Sequence, residues 1–273
     1  MAVTACLTAC AAVAPDARAA QQTLTASQGS VRATVTYEAA HREPGTRPLT
    51  GLRLAIERDG AKLYEAAVSS SHCSPCGLES LADEPLKLAD LESNGQPDVV
   101  LGLNTGGAHC CSIVQVFAYD PGTMTYRVTE RDFGEPGVDL IPVGTSRQLV
   151  FRTGDARFAY TFAPYAYSGL PIQLVSFEAG AFRDATLSYP AEIAADAALY
   201  LGGFRAERRH GLGNGLIAAW AADEDRLGHG ALVRRILDRE ARHGLLRSRE
   251  HYGPSGHAFV QRLLRFLKRT GYG

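Results

Sequence analysis

The sequence predicts a mainly β fold with a helical C-terminal region. Short segments of alternating polar and apolar residues, separated by turn residues, occupy 20–188, and this is the pattern of strands. From residue 190 the apolar residues recur every three or four positions, as on one face of a helix. Residues 190–273 carry 14 basic and 9 acidic side chains, whereas the whole chain carries 28 and 29. We therefore expect a β-rich repeat domain at 20–188 and an α-helical region at 189–273.

The β part is predicted to contain three consecutive antiparallel meanders of about fifty residues each. Segments 22–38 and 49–67 have the pattern of two strand pairs, and 86–133 gives four more strands. Asp120-Pro121-Gly122 is a strong turn signal before the last of these. Residues 138–184 repeat the arrangement and end in a hairpin. A closed propeller needs about four to eight four-stranded blades. Three meanders are too few, so we expect an incomplete propeller-like stack.

About four helices are predicted after the meanders. Their spans are 190–208, 213–227, 230–243 and 255–270, with glycine-rich breaks between them. The last helix carries an apolar face made of Phe259, Leu263, Phe266 and Leu267. Such a face lies on a membrane surface in some proteins, but it more commonly packs against its own chain. We expect it to pack against the open side of the sheet stack.

The segment Asp90-Leu91-Glu92-Ser93-Asn94-Gly95-Gln96-Pro97-Asp98 has the composition of a calcium loop. Oxygen-bearing side chains stand at every second position, a glycine follows, and Ca²⁺ prefers six to eight oxygen ligands. A helix–loop–helix calcium hand needs a glutamate at its twelfth position, where this chain has Leu101. The flanking residues are also typical of strands. The alternative is a solvated turn, because Asn-Gly and Asp/Ser clusters form turns unaided.

This loop resembles the calcium loop of FG-GAP or VCBS repeats, the blades of the propeller in integrin alpha chains. The resemblance implies side-chain ligands at Asp90, Glu92, Asn94 and Asp98, with Gln96 offering its carbonyl. Glu92 departs from the usual Asp or Asn of the family. A weaker copy at 139–144 has lost its acceptors, so one structural Ca²⁺ is expected. The segment Gly106 to Cys111 is also similar to uncharacterised secreted bacterial proteins with these repeats.

The N-terminus is predicted to direct export. Ala2 to Ala14 has the length and composition of a signal-peptide core, and Ala17-Arg18-Ala19 offers a cleavage site. We therefore expect a signal peptide at 1–19 and a secreted or extracytoplasmic protein. Leu7-Thr8-Ala9-Cys10 resembles a lipoprotein cleavage box, so a lipid anchor at Cys10 is the alternative. Membrane contact is expected only through that lipid or through the helix at 255–270.

Four cysteines remain after the predicted signal peptide, in two pairs that each follow a histidine: His72, Cys73 and Cys76, then His109, Cys110 and Cys111. An even number of cysteines in an exported chain indicates disulfides. The simplest framework joins the first pair to the second, although four cysteines allow three connectivities. A zinc or copper centre built from both groups is one alternative. Redox chemistry at Cys73-x-x-Cys76 is the other.

The sequence carries no familiar catalytic motif. It lacks Gly-x-Ser-x-Gly, His-Glu-x-x-His and a phosphate-binding loop, and the acidic run at 223–225 is predicted to be a solvated face. The candidate binding surface is an aromatic stretch made of Phe158, Tyr160, Phe162, Tyr165 and Tyr167. The first three alternate and would share one strand face, where they would bind sugar or peptide or fill the core between blades.

The sequence therefore predicts a secreted, non-enzymatic repeat module stabilised by Ca²⁺. Its expected partner is a protein or a carbohydrate on the cell surface, and no nucleic-acid partner is expected. The alternatives are a hydrolase of envelope polymers whose site has no recognisable motif, and a metal or redox protein built on the cysteine and histidine pairs.

Overall fold

A computed structural model describes residues 20–39, 49–107, 110–248 and 252–272. The predicted signal peptide at 1–19, including Cys10, lies outside the described residues, and so does His109.

Within the described ranges the strands form three antiparallel sheets. Sheet A contains β1 Ala20–Gln28, β2 Val31–Ala39, β3 Thr50–Arg58 and β4 Ala61–Ala67, in that order. Sheet B contains β5 Gly77–Leu78, β6 Leu86–Ala89, β7 Asp98–Gly107, β8 Cys110–Asp120 and β9 Thr125–Gly134. Sheet C contains β10 Asp139–Val143, β11 Gln148–Gly154, β12 Ile172–Glu178 and β13 Ala181–Asp184. The three predicted meanders are confirmed.

Sheet B departs from a plain four-stranded meander at its first edge. Both β5 and β6 pair with β7: Gly77 lies opposite Asn104, and Leu86 lies opposite Leu101. The two short strands therefore share one edge of the sheet, and the residues between them leave it. The sequence indicated only the second of these strands, because a two-residue strand is too short to show a period.

Local turn chemistry fixes the tight hairpins. Asp59 and Gly60, between β3 and β4, have φ angles of 52° and 78°. Ala179 and Gly180, between β12 and β13, have φ angles of 50° and 74°. Two successive residues with positive φ match the right-handed twist of the strands that they join. This is why an Asp-Gly pair predicts its hairpin from the sequence alone.

The three sheets stack face to face, with sheet B in the middle. On one side Val99 and Leu101 join Leu54 of sheet A in a fully buried cluster. On the other side Val100 joins Phe151 of sheet C. Neighbouring residues of one strand point to opposite faces, so β7 supplies both cores at once. Burial of each such aliphatic side chain stabilises the folded state by about 1.5–3 kcal/mol.

The described part of the C-terminal region forms α1 Pro190–Glu207, α2 Asn214–Arg226, α3 Gly230–Arg242 and α4 Gly256–Thr270. The predicted mainly β fold with a helical C-terminal region is confirmed. Ile193 of α1 packs with Val150 and Leu174 on the outer face of sheet C. The apolar face of α4 is buried around Trp220, so its predicted packing against its own chain is also confirmed. It packs among the helices, however, so the expectation that it covers the open side of the sheet stack was wrong. In the residues described, no helix is long and apolar enough to cross a membrane.

The aromatic stretch is not a strand, so this prediction was wrong. Its backbone forms two short 3-10 turns, at Ala156–Phe158 and Tyr165–Tyr167. The carboxylate of Asp155 caps the first turn by accepting a hydrogen bond from the backbone N–H of Arg157. Tyr160 then takes a positive φ of 56°, which ends any regular alternation. The local polar groups and this turn override the period-two pattern.

The disulfides form within each cysteine pair, Cys73 with Cys76 and Cys110 with Cys111. The predicted framework that joins the first pair to the second was therefore wrong. The reason is the strand order: Gly77 and Ser112 both lie opposite Asn104, on the two sides of β7. Two strand spacings separate the pairs by about 10 Å, and a disulfide spans about 4.4–6.8 Å between Cα atoms.

Candidate functional site

The predicted calcium loop lies between β6 and β7, as the sequence indicates, and Asp98 is the first residue of β7. The loop is organised by the Asp90 carboxylate, which accepts hydrogen bonds from the backbone N–H groups of Asn94 at 2.9 Å and Gly95 at 2.8 Å. The Asn94 side-chain oxygen accepts from the N–H of Gln96 at 2.8 Å. Gly95 has a φ of 78°, a conformation that glycine adopts without steric cost.

Asp98 brings a buried carboxyl group to this loop. It is 2% exposed, and its Oδ2 accepts a hydrogen bond from the N–H of Leu91 at 3.3 Å. The pKa of Asp98 is raised to about 7, chiefly by burial and also by the charges of Glu92 and Asp90, while the Leu91 N–H and the charge of Arg58 act to lower it. A buried carboxyl group among other acids takes up a proton or is neutralised by a cation.

Two further side chains of the loop reach sheet C. Glu92 Oε1 accepts a hydrogen bond from the backbone N–H of Gly180, in the β12–β13 turn, at 2.9 Å. Ser93 Oγ donates to Gln148 Oε1 on β11 at 2.8 Å, and Gln148 Nε2 donates back to the carbonyl of Leu91 at 2.7 Å. The loop is therefore bonded to sheet C at two places, the start of β11 and the β12–β13 turn.

The same loop is bonded to sheet A through Gln96. Its side-chain Oε1 accepts a hydrogen bond from Nη1 of Arg58, the last residue of β3, at 2.7 Å. The Arg58 guanidinium also lies over the ring of Tyr119 on β8, 4.0 Å from the ring centroid. Because the loop itself belongs to sheet B, it joins all three sheets at one place.

The five predicted ligands divide into two groups. Asp90, Asn94 and Asp98 stay within the hydrogen-bonded loop, whereas the side chains of Glu92 and Gln96 are used in contacts with sheets C and A. Among the residues described, no three carboxylate, imidazole or thiol side chains lie close enough together to hold a metal ion. The donors are all oxygens, which is the chemistry that Ca²⁺ prefers, but they do not form a ready-made cage.

The weaker copy of the loop at 139–144 was wrongly predicted. Asp139–Val143 is strand β10, not a loop. The Asp139 carboxylate accepts a hydrogen bond from Arg152 of β11 at 2.9 Å, as a cross-strand ion pair. The spacing that the two segments share therefore does not mark a repeated loop, and no second ion was expected there because the acceptors are missing.

The cysteine and histidine pairs do not assemble in the part of the chain that is described. The His72 ring lies 3.5 Å from Asp132 and 3.9 Å from Glu130. The four sulfurs are in disulfides, whereas zinc and copper bind thiolates.

A cleft of about 470 Å³ lies between sheet C and α1, and no sequence motif indicated it. Its polar side chains come from separate parts of the chain: Glu79, Ser80, Asp139, Arg152, Thr153, Ser168, Asp196 and Tyr200. Because these residues are up to 121 positions apart in the sequence, no local motif could reveal them. The packing of α1 on sheet C, together with residues 79–80 and 136–138, forms the cleft.

One wall of the cleft carries Asp196, which acts electrostatically on the buried Asp223 of α2. Asp196 Oδ2 accepts a hydrogen bond from the N–H of Ile172 at 3.0 Å, whereas neither carboxylate oxygen of Asp223 has a hydrogen-bond partner among the described residues. Burial, followed by the charge of Asp196, raises the pKa of Asp223 to about 9. Nη1 of Arg226 lies 3.6 Å from Oδ1 of Asp223. Asp223 is fully buried, so the prediction of a solvated acidic run was wrong for this residue.

The predicted aromatic surface is split by the fold. Phe158 and Phe162 are buried in the core of the helical region. Tyr160 is 48% exposed, and its ring centroid lies 5.3 Å from that of the half-buried Tyr165, with an interplanar angle of 34°. Tyr167 is half-buried. The accessible aromatic feature is therefore the Tyr160–Tyr165 pair.

No family model and no solved structure matches this chain. A stretch of 106 residues is 34% identical to a Synechocystis protein named "Probable thylakoid lumen protein". The stretch covers 36% of this chain and 30% of that protein. The chain thus matches less than a third of the length of this curated relative, and the similarity assigns no family to the whole chain.

Proposed function

We propose that this protein is an extracytoplasmic binding module of the FG-GAP/VCBS type, whose sheet stack is stabilised by one Ca²⁺ ion at the 90–98 loop. The observation that carries the proposal is the position of the loop, which is hydrogen-bonded to sheets A and C while belonging to sheet B. An ion bound at this junction would stabilise the contacts among all three sheets and not only the conformation of one turn.

The donor chemistry supports calcium as the ion. Asp90, Asn94 and Asp98 would supply side-chain oxygens, and Gln96 would offer its backbone carbonyl because its side chain is bonded to Arg58. The bound ion would supply positive charge next to a buried carboxyl group, a role that is structural and not catalytic. Glu92 would keep its contact with Gly180.

Two observations support an extracytoplasmic location. The chain has two disulfides, and these persist in oxidising compartments. The partial similarity to a protein named for the thylakoid lumen is in keeping with export. Both agree with the signal peptide predicted at 1–19.

The test is thermal unfolding of the exported chain in Ca²⁺, in Mg²⁺ and in EDTA. Ligand at 100 times its Kd stabilises a protein by about 2.7 kcal/mol, which for this size corresponds to a rise in Tm of about 5–10 °C. We expect that rise with Ca²⁺ and a smaller one with Mg²⁺, which demands stricter geometry. An unchanged Tm at about 100 times a typical extracellular Kd of 10⁻⁴ M contradicts the proposal.

Asp98→Asn separates the calcium effect from general stability. In EDTA this variant is expected to be at least as stable as the wild type, because it removes an uncompensated buried charge. In Ca²⁺ it is expected to lose the rise in Tm. Asp83→Asn is the matched control, since the Asp83 side chain is 89% exposed and lies outside the loop, and it should respond to Ca²⁺ as the wild type does.

One observation favours a second candidate function, the envelope-polymer hydrolase. The cleft between sheet C and α1 carries the carboxyl groups of Glu79, Asp139 and Asp196, and glycoside hydrolysis uses paired carboxyl groups. Release of reducing ends from cell-wall polysaccharide by the wild type, and its loss in Asp139→Asn, would support this function. An absence of reducing ends leaves binding as the function of the cleft.

A further inference from the structure

We propose that the cleft between sheet C and α1, together with the exposed Tyr160 ring beside it, is a binding site for a neutral saccharide. The inference rests on the proposed binding function and deepens it by naming the site and the class of ligand.

The size of the cleft and the order of its polar groups fit a small ligand. Its volume of about 470 Å³ falls in the range of about 300–1,000 Å³ that is typical of ligand sites. Glu79 is held by Asn104 Nδ2 at 3.1 Å and by Ser112 Oγ at 3.3 Å. Asp139 is held by Arg152 at 2.9 Å. Groups that are already held lose little freedom when a ligand binds, and this favours affinity.

The mixture of charges favours a hydroxyl-rich, uncharged ligand. Arg152 only donates hydrogen bonds, and the ionised carboxylates of Glu79 and Asp139 only accept them. A sugar hydroxyl does both, so one hydroxyl satisfies the arginine while another satisfies a carboxylate. An anion would meet the carboxylates of the cleft, and a cation would meet Arg152. The lining therefore suits neither ion as well as it suits a polyhydroxylated ring.

The exposed Tyr160 ring supplies the apolar surface that the CH face of a sugar ring requires. Tyr160 OH donates to Glu135 Oε1 at 3.2 Å, and Tyr165 OH donates to the Glu135 carbonyl at 3.3 Å. The Tyr160 ring, which is 48% exposed, is therefore oriented by its polar tip and offers ring area for stacking. Tyr160 also has a φ of 56°, an uncommon conformation for a bulky residue that concentrates at ligand sites.

Hydrogen bonds place Tyr160 beside the lining of the cleft. Ser168 lines the cleft, and its Oγ accepts the backbone N–H of Tyr160 at 3.1 Å. Glu135, which contacts both tyrosines, directly precedes the lining residue Pro136. On the far wall, Leu199 of α1 is 69% exposed. A sugar in the cleft would lie between an aromatic rim and an aliphatic side chain.

The test uses the full exported chain and three neutral trisaccharides: cellotriose, chitotriose and maltotriose. Binding is measured by calorimetry and by amide chemical-shift changes, with Ca²⁺ present. At least one trisaccharide is expected to bind and to shift resonances of β10, β11 and α1. Tyr160→Ala is expected to weaken that binding about fivefold, the typical contribution of one aromatic contact. Arg152→Gln is expected to weaken it as well, with an unchanged Tm.

Tyr37→Ala is the matched control, because Tyr37 is a partly exposed tyrosine on sheet A, away from the cleft. It should leave the affinity unchanged. The inference is overturned if no trisaccharide binds the folded wild type, if Tyr37→Ala and Tyr160→Ala weaken binding equally, or if only a charged probe such as spermidine or a basic peptide binds the cleft. The calcium-dependent Tm of the same samples shows separately whether the proposed function fails.

Discussion

Glu92 accepts a hydrogen bond at 2.9 Å from the backbone N–H of Gly180, a residue 88 positions later in the chain. The bond joins a loop of sheet B to the last hairpin turn of sheet C. A local sequence pattern places each partner in a turn, but only the stacking of the sheets brings the two turns together.

Removal of this contact is expected to loosen the stack without unfolding it. Glu92→Ala should lower the free energy of unfolding by about 1.5–3 kcal/mol, the usual contribution of a hydrogen bond to a charged group. Glu92→Gln keeps an acceptor and should cost less. Urea unfolding measures both. Equal losses in the two variants would mean that the carboxylate is not the group that matters.

The backbone of the calcium loop requires glycine at position 95. Gly95→Ala places a Cβ at a φ of 78°, which costs about 1–2 kcal/mol. Gly202→Ala in α1 is the control, because an added Cβ there meets no atom within 4 Å and alanine favours the helix by about 0.5–1 kcal/mol. The two substitutions should therefore shift Tm in opposite directions.

The buried carboxyl pair predicts a specific pH dependence of stability. Because the pKa of Asp223 is raised to about 9 in the fold, the folded state binds more protons than the unfolded state between about pH 4 and pH 9. Stability contributed by this group is thus full below its unfolded pKa and is lost as the pH rises toward 9.

Asp223→Asn removes this titration and keeps a hydrogen-bonding side chain. The variant should lose less stability than the wild type between pH 5 and pH 9, as measured by denaturant unfolding at several pH values. Asp238→Asn, at an exposed position of α3, should follow the wild-type profile. A wild-type slope retained in Asp223→Asn would contradict the assignment.

The aromatic stretch should separate sharply into core and surface residues. Phe158 is fully buried, and its ring packs edge-on against Phe266 at 4.9 Å. Phe158→Ala should therefore cost about 3–5 kcal/mol. Tyr160→Ala removes a half-exposed ring and should cost far less. Thermal unfolding measures both variants. If Phe158 and Tyr160 shared one strand face, the two substitutions would lower the stability by similar amounts.

The regular elements were predictable because their signals are local. Asp59-Gly60 fixes a hairpin within two residues, and Pro190 starts a helix because its missing N–H is not needed there. In the aromatic stretch the local pattern led to a wrong prediction. The alternation of Phe158, Tyr160 and Phe162 suggests a strand, but the two phenylalanines are drawn into a core whose other side comes from α2 and α4.

The candidate site was predictable only in part. Asp90, Asn94 and Asp98 are close in sequence, so their spacing indicates oxygen-ligand chemistry. The contacts of Glu92 and Gln96 depend on sheets whose residues lie far along the chain. The cysteine connectivity was missed for a similar reason, because the strand that separates the two pairs is identified only by the pairing of Gly77 with Asn104.

The junction formed by the 90–98 loop has a consequence for how the molecule opens. A turn that is bonded only to its own hairpin can unfold locally. A turn that is hydrogen-bonded to the sheets on both sides opens only when those sheets separate. Amide hydrogens in β3, β7 and β11 are therefore expected to exchange with solvent in one concerted event. The stack would behave as a single cooperative unit, and damage at this small segment would expose both of its interiors to proteases together.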